Sequence, residues 1–162
     1  MSQNCEIRKI LPSDNAILAK IIRKVLLEFG GDKPGTAYHD YATEHMFETY
    51  QSAGQIYYVA IFNNKVMGGC GIKQLVLAND EICELQKLYL LNESRGLGVG
   101  KLLVERCLEF AKNSLYKQCY LETFPNMNTA INLYKKFDFY MLKAPIGNTG
   151  HNGCDVWMLK DL

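Results

Sequence analysis

The sequence has no excess of charge of either sign and no long apolar run. Its 18 lysine and arginine residues nearly balance its 17 aspartate and glutamate residues. Such a chain has no broad basic field to hold nucleic acid or an anionic membrane, so we expect neither as a partner. A membrane-spanning helix needs about 20 consecutive apolar residues, and no segment approaches that length. Any anionic ligand must therefore be bound by a local site.

The sequence also lacks the cysteine patterns of secreted or metal-binding proteins. Its six cysteines form no Cys-x-x-Cys pair, and no signal peptide is apparent at the N-terminus, so we expect a reduced, cytoplasmic protein. No internal repeat is present, and 162 residues fall within the range of one domain, so we predict a single domain over 1–162. The cysteines are Cys5, Cys70, Cys83, Cys107, Cys119 and Cys154.

What the sequence does contain is a mixed order of helix-like and strand-like segments. Apolar residues at helical spacing over 17–26 and 99–111 predict two amphipathic helices, the second ending near Asn113. Asn63 and Asn64 separate two strand-like runs and predict a tight turn, because asparagine tolerates positive φ. The fold class is therefore α/β (α+β), with an early antiparallel hairpin. Strands are predicted over 5–9, 55–62, 65–74, 81–91, 118–122, 140–143 and 155–159, and further helices near 46–50 and 127–137.

Three glycines lie between the fourth predicted strand and the helix over 99–111, in the run Arg-Gly-Leu-Gly-Val-Gly at 95–100. Glycine lets backbone N–H groups approach a ligand without a Cβ in the way. The helix that follows offers unpaired N-terminal donors and the positive end of its dipole. This run is a candidate phosphate-binding loop, although glycine-rich turns also join strands to helices for steric reasons alone.

Spacing separates three interpretations of this loop. A Walker loop requires Ser or Thr after Gly-Lys, but Leu102 follows Lys101, so that interpretation fails. A dinucleotide fingerprint would need glycine in place of Lys101, although Glu122 could act as the ribose-binding acid, so it survives as a minor alternative. The loop does match Gln/Arg-x-x-Gly-x-Gly/Ala, through Arg95, Gly98 and Gly100.

With this signature the chain resembles the GNAT superfamily of acetyl-CoA-dependent N-acetyltransferases. The run over 84–95 resembles the family's fourth strand entering its pyrophosphate loop, and Leu-Tyr-Lys-Lys-Phe-Asp-Phe over 133–139 resembles its Leu-Tyr-x-Lys-x-Gly-Phe segment. Asp138 replaces the usual glycine, but aspartate tolerates the left-handed backbone, so the turn can persist. The resemblance implies a mixed central sheet with antiparallel N-terminal strands and helices on both faces. It also implies acetyl-CoA as cosubstrate and no metal.

The resemblance carries a cofactor site over to this chain. The N–H groups of the glycine loop would face the pyrophosphate, and the main chain of Leu88 and Leu90 would pair with the pantetheine arm. An asparagine expected near Ala130 is replaced by Met127, which leaves Asn126 and Asn128 as alternatives. Nothing selects among Lys101, Lys135 and Lys136 for the 3′-phosphate. The predicted cofactor-binding residues are Leu88, Tyr89, Leu90, Arg95, Gly96, Leu97, Gly98, Val99, Gly100, Lys101, Asn126 and Asn128.

The resemblance also implies two catalytic residues. Glu84 is the candidate general base, accepting a proton from an ammonium substrate directly or through water. Tyr134 matches the family tyrosine that donates a proton to the departing thiolate, a transfer that suits a phenol because its pKa is near that of a thiol. Strand alternation predicts that Glu84, Gln86, Leu88 and Leu90 share one face, unless a bulge intervenes. The alternatives are that Glu84 is a solvated or ion-paired strand residue and that Tyr134 only packs on its helix.

The acceptor pocket is less well specified by the sequence. In the family the loop between the first two helices lines this pocket, which makes Tyr38, Asp40 and Tyr41 candidate substrate contacts, with His151 on the opposite wall. His39, Asp40 and His45 fit no zinc spacing, so we predict no metal site there. Cys154 is predicted to be a buried thiol rather than a nucleophile.

The predicted function is therefore transfer of acetyl from acetyl-CoA to a primary amine by direct attack in a ternary complex. The amine is a small amine, an amino acid or a peptide or protein amine, and the protein is a possible homodimer. A non-catalytic acyl-CoA sensor is the chief alternative, although the presence of both Glu84 and Tyr134 opposes it. A dinucleotide-binding oxidoreductase is the less favoured alternative, because the early hairpin conflicts with its parallel sheet.

Overall fold

The computed structural model describes residues 5–162, so the first four residues of the predicted domain lie outside the described range. Seven strands form one mixed sheet in the order β1-β2-β3-β4-β5-β7-β6, with β4 and β5 parallel and the other neighbours antiparallel. The strands are β1 Cys5–Lys9, β2 Ile56–Phe62, β3 Lys65–Gln74, β4 Ile82–Leu90, β5 Gln118–Thr123, β6 Tyr140–Met141 and β7 Val156–Asp161. The helices are α1 Asn15–Glu28, α2 Tyr41–Glu44, α3 Met46–Thr49, α4 Val99–Asn113 and α5 Asn128–Lys136.

This architecture confirms the predicted fold class and most of the predicted elements. The hairpin turn has positive φ at both Asn63 and Asn64, and α4 ends at Asn113. Asp138 takes φ of 63°, so aspartate does support the left-handed turn after α5. The helix predicted near 46–50 is α3, a further short helix, α2, precedes it, and β6 is shorter than predicted. Within residues 5–162, no helix is long and apolar enough to cross a membrane.

The helices cover the two faces of the sheet because adjacent strand residues point in opposite directions. Along β2, Ile56 and Ala60 pack in the cluster that holds α4, whereas Tyr57 packs in the cluster that holds α1. The apolar stripes of both helices are buried, as their sequence periodicity predicts. A β-sheet held from both sides in this way is a rigid platform for groups along its central strands.

A bulge in β4 overturns the predicted alternation. Gly69 pairs with Tyr89 and Gly71 pairs with Gln86, so Lys87 and Leu88 together oppose one residue of β3. Lys87 takes φ of 52°, and the extra residue reverses which face the following side chains take. Glu84 and Gln86 therefore share the α1 face with Lys87 and Tyr89, while Leu88 and Leu90 pack on the α4 side with Leu85. The predicted grouping of Glu84 and Gln86 with Leu88 and Leu90 is wrong.

The sheet opens between β4 and β5. These parallel strands pair only from Ile82 with Gln118 to Glu84 with Tyr120, although β4 continues to Leu90 and β5 to Thr123. Beyond Glu84, the edge of β4 that faces β5 pairs with no strand in the described part of the chain, while β5 pairs with β7 on its other side. The two strands therefore diverge and leave a cleft in the middle of the sheet.

We predict that Gly68→Ala destabilises the protein severely, because the bulge brings two backbones into close contact. Gly68 has φ of 137°, and a Cβ there would overlap the carbonyl oxygen of Tyr89. The combination of backbone strain and overlap should lower the free energy of unfolding by about 3 kcal/mol, measured by urea denaturation. Gly30→Ala is the control, since Gly30 also has positive φ but open space around it. It should cost only about 1 kcal/mol. Equal losses in the two variants would contradict the close contact.

Candidate active site

The cleft between β4 and β5 contains two adjoining pockets. Both are lined by Leu85, Lys87 and Tyr89 of β4 and by Glu122 of β5. One pocket continues towards Glu84 and His151, and the other towards Leu88 and Tyr134. We call the end that holds Glu84 and His151 the polar end of the cleft, and the other end lies beneath α5.

The glycine loop lies where the chain leaves β4 for α4. Gly96 and Gly98 take φ of 77° and 79°, and a Cβ on either would meet nothing within 4 Å. Gly98 ends the loop, and the first amide with a helical partner is that of Leu102, which donates to the Gly98 carbonyl. The N–H groups over 98–101 have no backbone acceptor within the described chain. This loop fits an anionic diphosphate, because its donors are free and no side chain blocks them.

Arg95 supports the loop rather than adding a free charge to it. Its guanidinium donates from Nε and Nη2 to the Leu90 carbonyl, at 3.1 and 3.0 Å, and from Nη1 to Glu28 at 2.7 Å. It also lies over the ring of Phe29, 5.6 Å from the centroid. Arg95 thus ties the end of β4 to α1, which fixes the loop relative to the cleft.

The open edge of β4 offers main-chain groups to a ligand. The Leu91 N–H donates to Met67 of β3, so alternation along the strand turns the main chain of Leu90 and Leu88 away from β3. The Leu90 carbonyl is already bonded to Arg95, which leaves its N–H for a ligand. An extended molecule can therefore add to this edge as a short strand, bonded mainly through Leu88 and the Leu90 N–H.

Glu84 is a buried carboxylate at the polar end of the cleft. It is only 3 % exposed and accepts a hydrogen bond from Gln86 Nε2 at 2.6 Å. Gln86 is oriented in turn by the hydroxyl of Tyr50, which donates to Gln86 Oε1 at 2.8 Å. Burial raises the pKa of Glu84 to about 7, because the hydrogen bond from Gln86 only partly offsets the loss of hydration. A carboxylate with this pKa is poised to exchange protons at neutral pH.

Glu122 and His151 complete the polar end of the cleft. The two side chains and Glu84 each bring one donor atom to within 4.8 Å of the other two. Glu122 accepts hydrogen bonds from the hydroxyls of Tyr120 at 2.8 Å and Thr149 at 2.6 Å. Glu122 lies beside Glu84 because β5 is the parallel neighbour of β4. Both glutamates are therefore close to the point where the two strands diverge. The carboxylates therefore face one another across the cleft.

Asp40 joins the loop before α2 to this cluster. Its Oδ2 accepts from His151 Nε2 at 2.7 Å and from Lys87 Nζ at 2.8 Å. Burial opposes ionisation of Asp40, but the hydrogen bond from His151 and the charge of Lys87 outweigh it and hold its pKa well below the ordinary range. The Lys87 side chain is 4 % exposed, so this pair is a buried contact rather than a surface one. Asp40 thus fixes both the bulge and the His151 ring.

Tyr134 lies at the other end, on α5. Its ring is 5 % exposed and packs edge-on against Phe139, with centroids 5.9 Å apart. Burial raises the pKa of its hydroxyl well above the ordinary value, so the phenol stays protonated at neutral pH. Tyr134 lines the same pocket as Leu88.

Comparison with known proteins agrees with this arrangement. Residues 23–139 match the Acetyltransferase (GNAT) family. The chain belongs to the GNAT family. It is 36 % identical over 162 residues to the uncharacterised N-acetyltransferase YjgM of Escherichia coli K12, covering 99 % of this chain and 96 % of that one. It is therefore an N-acetyltransferase that uses an acyl-coenzyme A.

Solved structures with low sequence identity share the GNAT fold. A GNAT acetyltransferase from Staphylococcus aureus Mu50 superimposes with a TM-score of 0.85 at 19 % identity, over 98 % of this chain and 99 % of that one. A phosphinothricin acetyltransferase from Sinorhizobium meliloti, determined in complex with acetyl-CoA, gives a TM-score of 0.78 at 20 % identity, over 98 % and 88 %. These likenesses confirm the predicted sheet with helices on both faces.

The predicted acceptor residues of this GNAT enzyme are only partly brought together. Asp40 and His151 meet in the polar cluster, whereas Tyr41 is 78 % exposed and stacks on His45. Tyr38 is half-buried beneath Arg23, with its ring 5.8 Å from the guanidinium carbon. His45 and His39 bond to main-chain carbonyls and do not join Asp40, so these three form no cluster.

Three predicted cofactor residues beyond β4 and the glycines, namely Lys101, Asn126 and Asn128, lie at the surface. Asn126 donates to the Phe29 carbonyl at 3.1 Å, and Asn128 is the first residue of α5. The Lys101 side chain is 65 % exposed and pairs with Glu105. The contacts of these residues with a coenzyme stay predictions, including the choice between the two asparagines.

Sequence analysis did not predict four residues of the site, which are Tyr50, Gln86, Lys87 and Glu122. Glu122 was considered only as the ribose-binding acid of a dinucleotide site. A signal existed for Glu122, because a polar residue near the end of the strand parallel to β4 reaches the same sheet edge. No local pattern marks the bulge that turns Lys87 towards Asp40. Cys154 also lines the cleft, and burial raises the pKa of its thiol to about 12, so it carries no thiolate at neutral pH.

Glu84, Glu122 and His151 are the described residues that are able to hold a metal ion. Two carboxylates and an imidazole suit a divalent cation, and Asp40 would orient the imidazole from behind. That the protein binds no metal stays a prediction.

We predict a pH-dependent gain in stability for Glu84→Gln. The carboxylate has an ordinary pKa of 4.5 and a pKa of about 7 in the folded protein, so between these values the folded state binds more protons than the unfolded chain. Stability contributed by neutral Glu84 is therefore lost as pH rises through about 7. The glutamine variant escapes this loss, so its free energy of unfolding relative to the parent protein should increase between about pH 5 and about pH 8.

Urea denaturation at the two pH values measures this difference. Glu109→Gln, on a side chain 64 % exposed on α4, is the control and should show no comparable change. The same difference between Glu84→Gln and the parent at both pH values would contradict a buried, titrating Glu84.

Proposed function

We propose that this enzyme transfers acetyl from acetyl-CoA to a primary amine by direct attack in a ternary complex. The observation that carries the proposal is the cleft itself. It runs from the unpaired helix donors over 98–101, along the open edge of β4, to the buried carboxylate of Glu84. A diphosphate, an extended amide arm and an amine need these features in this order.

The donor would be held by main-chain groups of this chain. The amides over 98–101 would hold the pyrophosphate, and Leu88 with the Leu90 N–H would bond the pantetheine arm. The Leu88 N–H would also polarise the thioester carbonyl, because it lies on the open edge next to the bulge. The Sinorhizobium relative, which was determined with acetyl-CoA, supports the choice of donor.

Glu84 would be the general base. An ammonium cannot attack a thioester until it loses a proton, and Glu84 accepts one most readily when its own pKa is near neutrality. The neutral amine nitrogen then forms its bond to the acetyl carbon. Gln86 and Tyr50 hold the carboxylate in place throughout.

Tyr134 would be the general acid. As the carbon–sulfur bond breaks, the electron pair goes to sulfur, and the Tyr134 hydroxyl donates its proton to the leaving thiolate. The attacking nitrogen loses its remaining extra proton, which returns tyrosine to its protonated form through solvent. The products are an N-acetylated amine, coenzyme A as a free thiol and one proton.

A thiol-release assay with acetyl-CoA and a panel of primary amines tests this proposal. The expected result is acceptor-dependent release of coenzyme A, with the acetylated amine identified by mass spectrometry. The sensor alternative predicts tight binding of acetyl-CoA with no release on any acceptor, and that result would overturn the proposal.

We predict that Gly98→Val weakens acetyl-CoA binding at least tenfold. A side chain there would enter the open space in front of the helix amides, and its backbone would be strained at φ of 79°. Isothermal titration calorimetry measures the affinity, with Gly30→Val as a control for backbone strain alone at φ of 68°. If Gly98→Val binds acetyl-CoA as the parent does, the pyrophosphate assignment is wrong.

We predict that kcat/KM for the amine falls as pH drops through about 7 in the parent enzyme, because protonated Glu84 cannot accept a proton. Glu84→Gln should lower kcat/KM by about 10²-fold and abolish this inflection. Rates across the pH range measure both effects, with Glu109→Gln as the control on an exposed glutamate. Retention of the inflection in Glu84→Gln would remove Glu84 from the role of base.

A further inference from the structure

At the polar end of the cleft, carboxylates face the pocket while the basic side chains are bonded to Asp40. Two carboxylates, Glu84 and Glu122, face the space, and the basic side chains of the lining are Lys87 and His151. Both of these donate to the same oxygen of Asp40. Among the described residues that line the pocket, no cation is therefore left to pair with an anionic group of an acceptor.

Glu122 is bonded without being neutralised. Its two partners, Tyr120 and Thr149, are hydroxyls, which donate hydrogen bonds but carry no charge. The carboxylate keeps its negative potential towards the cleft, within 4.8 Å of Glu84. This potential attracts an ammonium and repels an anion held close to it.

Neutral groups make up much of the remaining lining. Thr36, Ala37 and Phe124 line the pocket without carrying charge. Beside them, the Gly153 N–H donates to the Gly35 carbonyl at 2.9 Å, which joins the loop before β7 to the loop before α2. An acceptor entering here meets uncharged surface except at the two glutamates and the Asp40 cluster.

We propose that the acceptor is a primary amine whose amine-bearing carbon carries no ionised carboxylate, so that free α-amino acids are poor substrates. This inference rests on the proposed function and narrows its acceptor class. In an α-amino acid the carboxylate is one carbon from the nitrogen, so placing the amine at Glu84 keeps that carboxylate close to both glutamates. A simple amine and the N-terminus of a peptide share the required chemistry, because a hydrocarbon or an amide replaces the carboxylate.

The test compares 2-phenylethylamine with phenylalanine as acceptors in the thiol-release assay. The two differ only by the carboxylate. The amine of 2-phenylethylamine is more basic than that of phenylalanine, so a smaller fraction of it is neutral at a given pH. This difference alone would favour phenylalanine, which is opposite to the preference that we expect. We expect kcat/KM to be at least tenfold higher for 2-phenylethylamine. An equal or higher value for phenylalanine would overturn the inference.

A third acceptor distinguishes a peptide N-terminus from a small amine as the preferred substrate. Phenylalanyl-glycinamide presents a peptide N-terminus with no carboxylate anywhere in the molecule. A higher kcat/KM for this dipeptide amide than for 2-phenylethylamine would support the inference with a peptide as the acceptor. The reverse order would support it with a small amine.

Glu122→Gln tests the cause of the selectivity. Removing this charge should narrow the preference for 2-phenylethylamine over phenylalanine at least threefold, and the ratio is measured within each enzyme, so a general loss of activity does not obscure it. Glu109→Gln makes the same charge change on the exposed side of α4 and should leave the ratio as in the parent. An unchanged ratio in Glu122→Gln would overturn the electrostatic argument.

Failure of the inference and failure of the proposed function give different results. If acetyl-CoA is consumed with phenylalanine but not with 2-phenylethylamine, acetyl transfer stands and the inference falls. If no amine, amino acid or peptide of the panel supports thiol release, the proposed function fails and the inference falls with it.

Discussion

The divergence of β4 from β5 is the constraint on which the rest of this structure depends. Two parallel strands that paired along their full length would bury every main-chain group of β4 in the sheet. Because pairing stops at Glu84 and Tyr120, the second half of β4 keeps an edge that a ligand can use. The bulge at Lys87 follows in the same strand and decides which side chains face each side of that edge.

This arrangement places carboxylates in the interior of the protein and gives each of them a hydrogen-bond partner. Glu84 has Gln86 as a partner, Glu122 has two hydroxyls, and Asp40 has both Lys87 and His151. Buried ionisable groups are costly unless they are paired, and here each is held by neighbours that also orient it. Glu84 and Glu122 both lack an immediate cation. Burial raises the pKa of Glu84, whereas the hydrogen bond from His151 and the charge of Lys87 lower that of Asp40.

One end of the cleft is formed mainly by main-chain groups and the other by side chains. The sequence predicted the residues of the first end more fully than those of the second. The end proposed to bind coenzyme A uses main-chain amides, and its signals are local, because Gly96, Gly98 and the start of α4 are neighbours in sequence. The end proposed to bind the acceptor uses side chains from β4, β5 and two loops. It was predicted only in part, since Asp40 and His151 are 111 residues apart and meet through the folding of those loops. Relatives can therefore share the glycine loop and the sheet while differing in the acceptor they take.

The sequence by itself determined the element order, the glycine loop and the candidacy of Glu84 and Tyr134, because these rest on periodicity and short motifs. Only the tertiary structure decided that β4 bulges at Lys87, that Glu122 faces Glu84, and that Asp40 bonds to both Lys87 and His151. The physical reason is that strand register and burial are collective properties. A one-residue bulge reverses the faces of a strand, and the pKa of a carboxylate depends on neighbours that the chain brings together from distant positions.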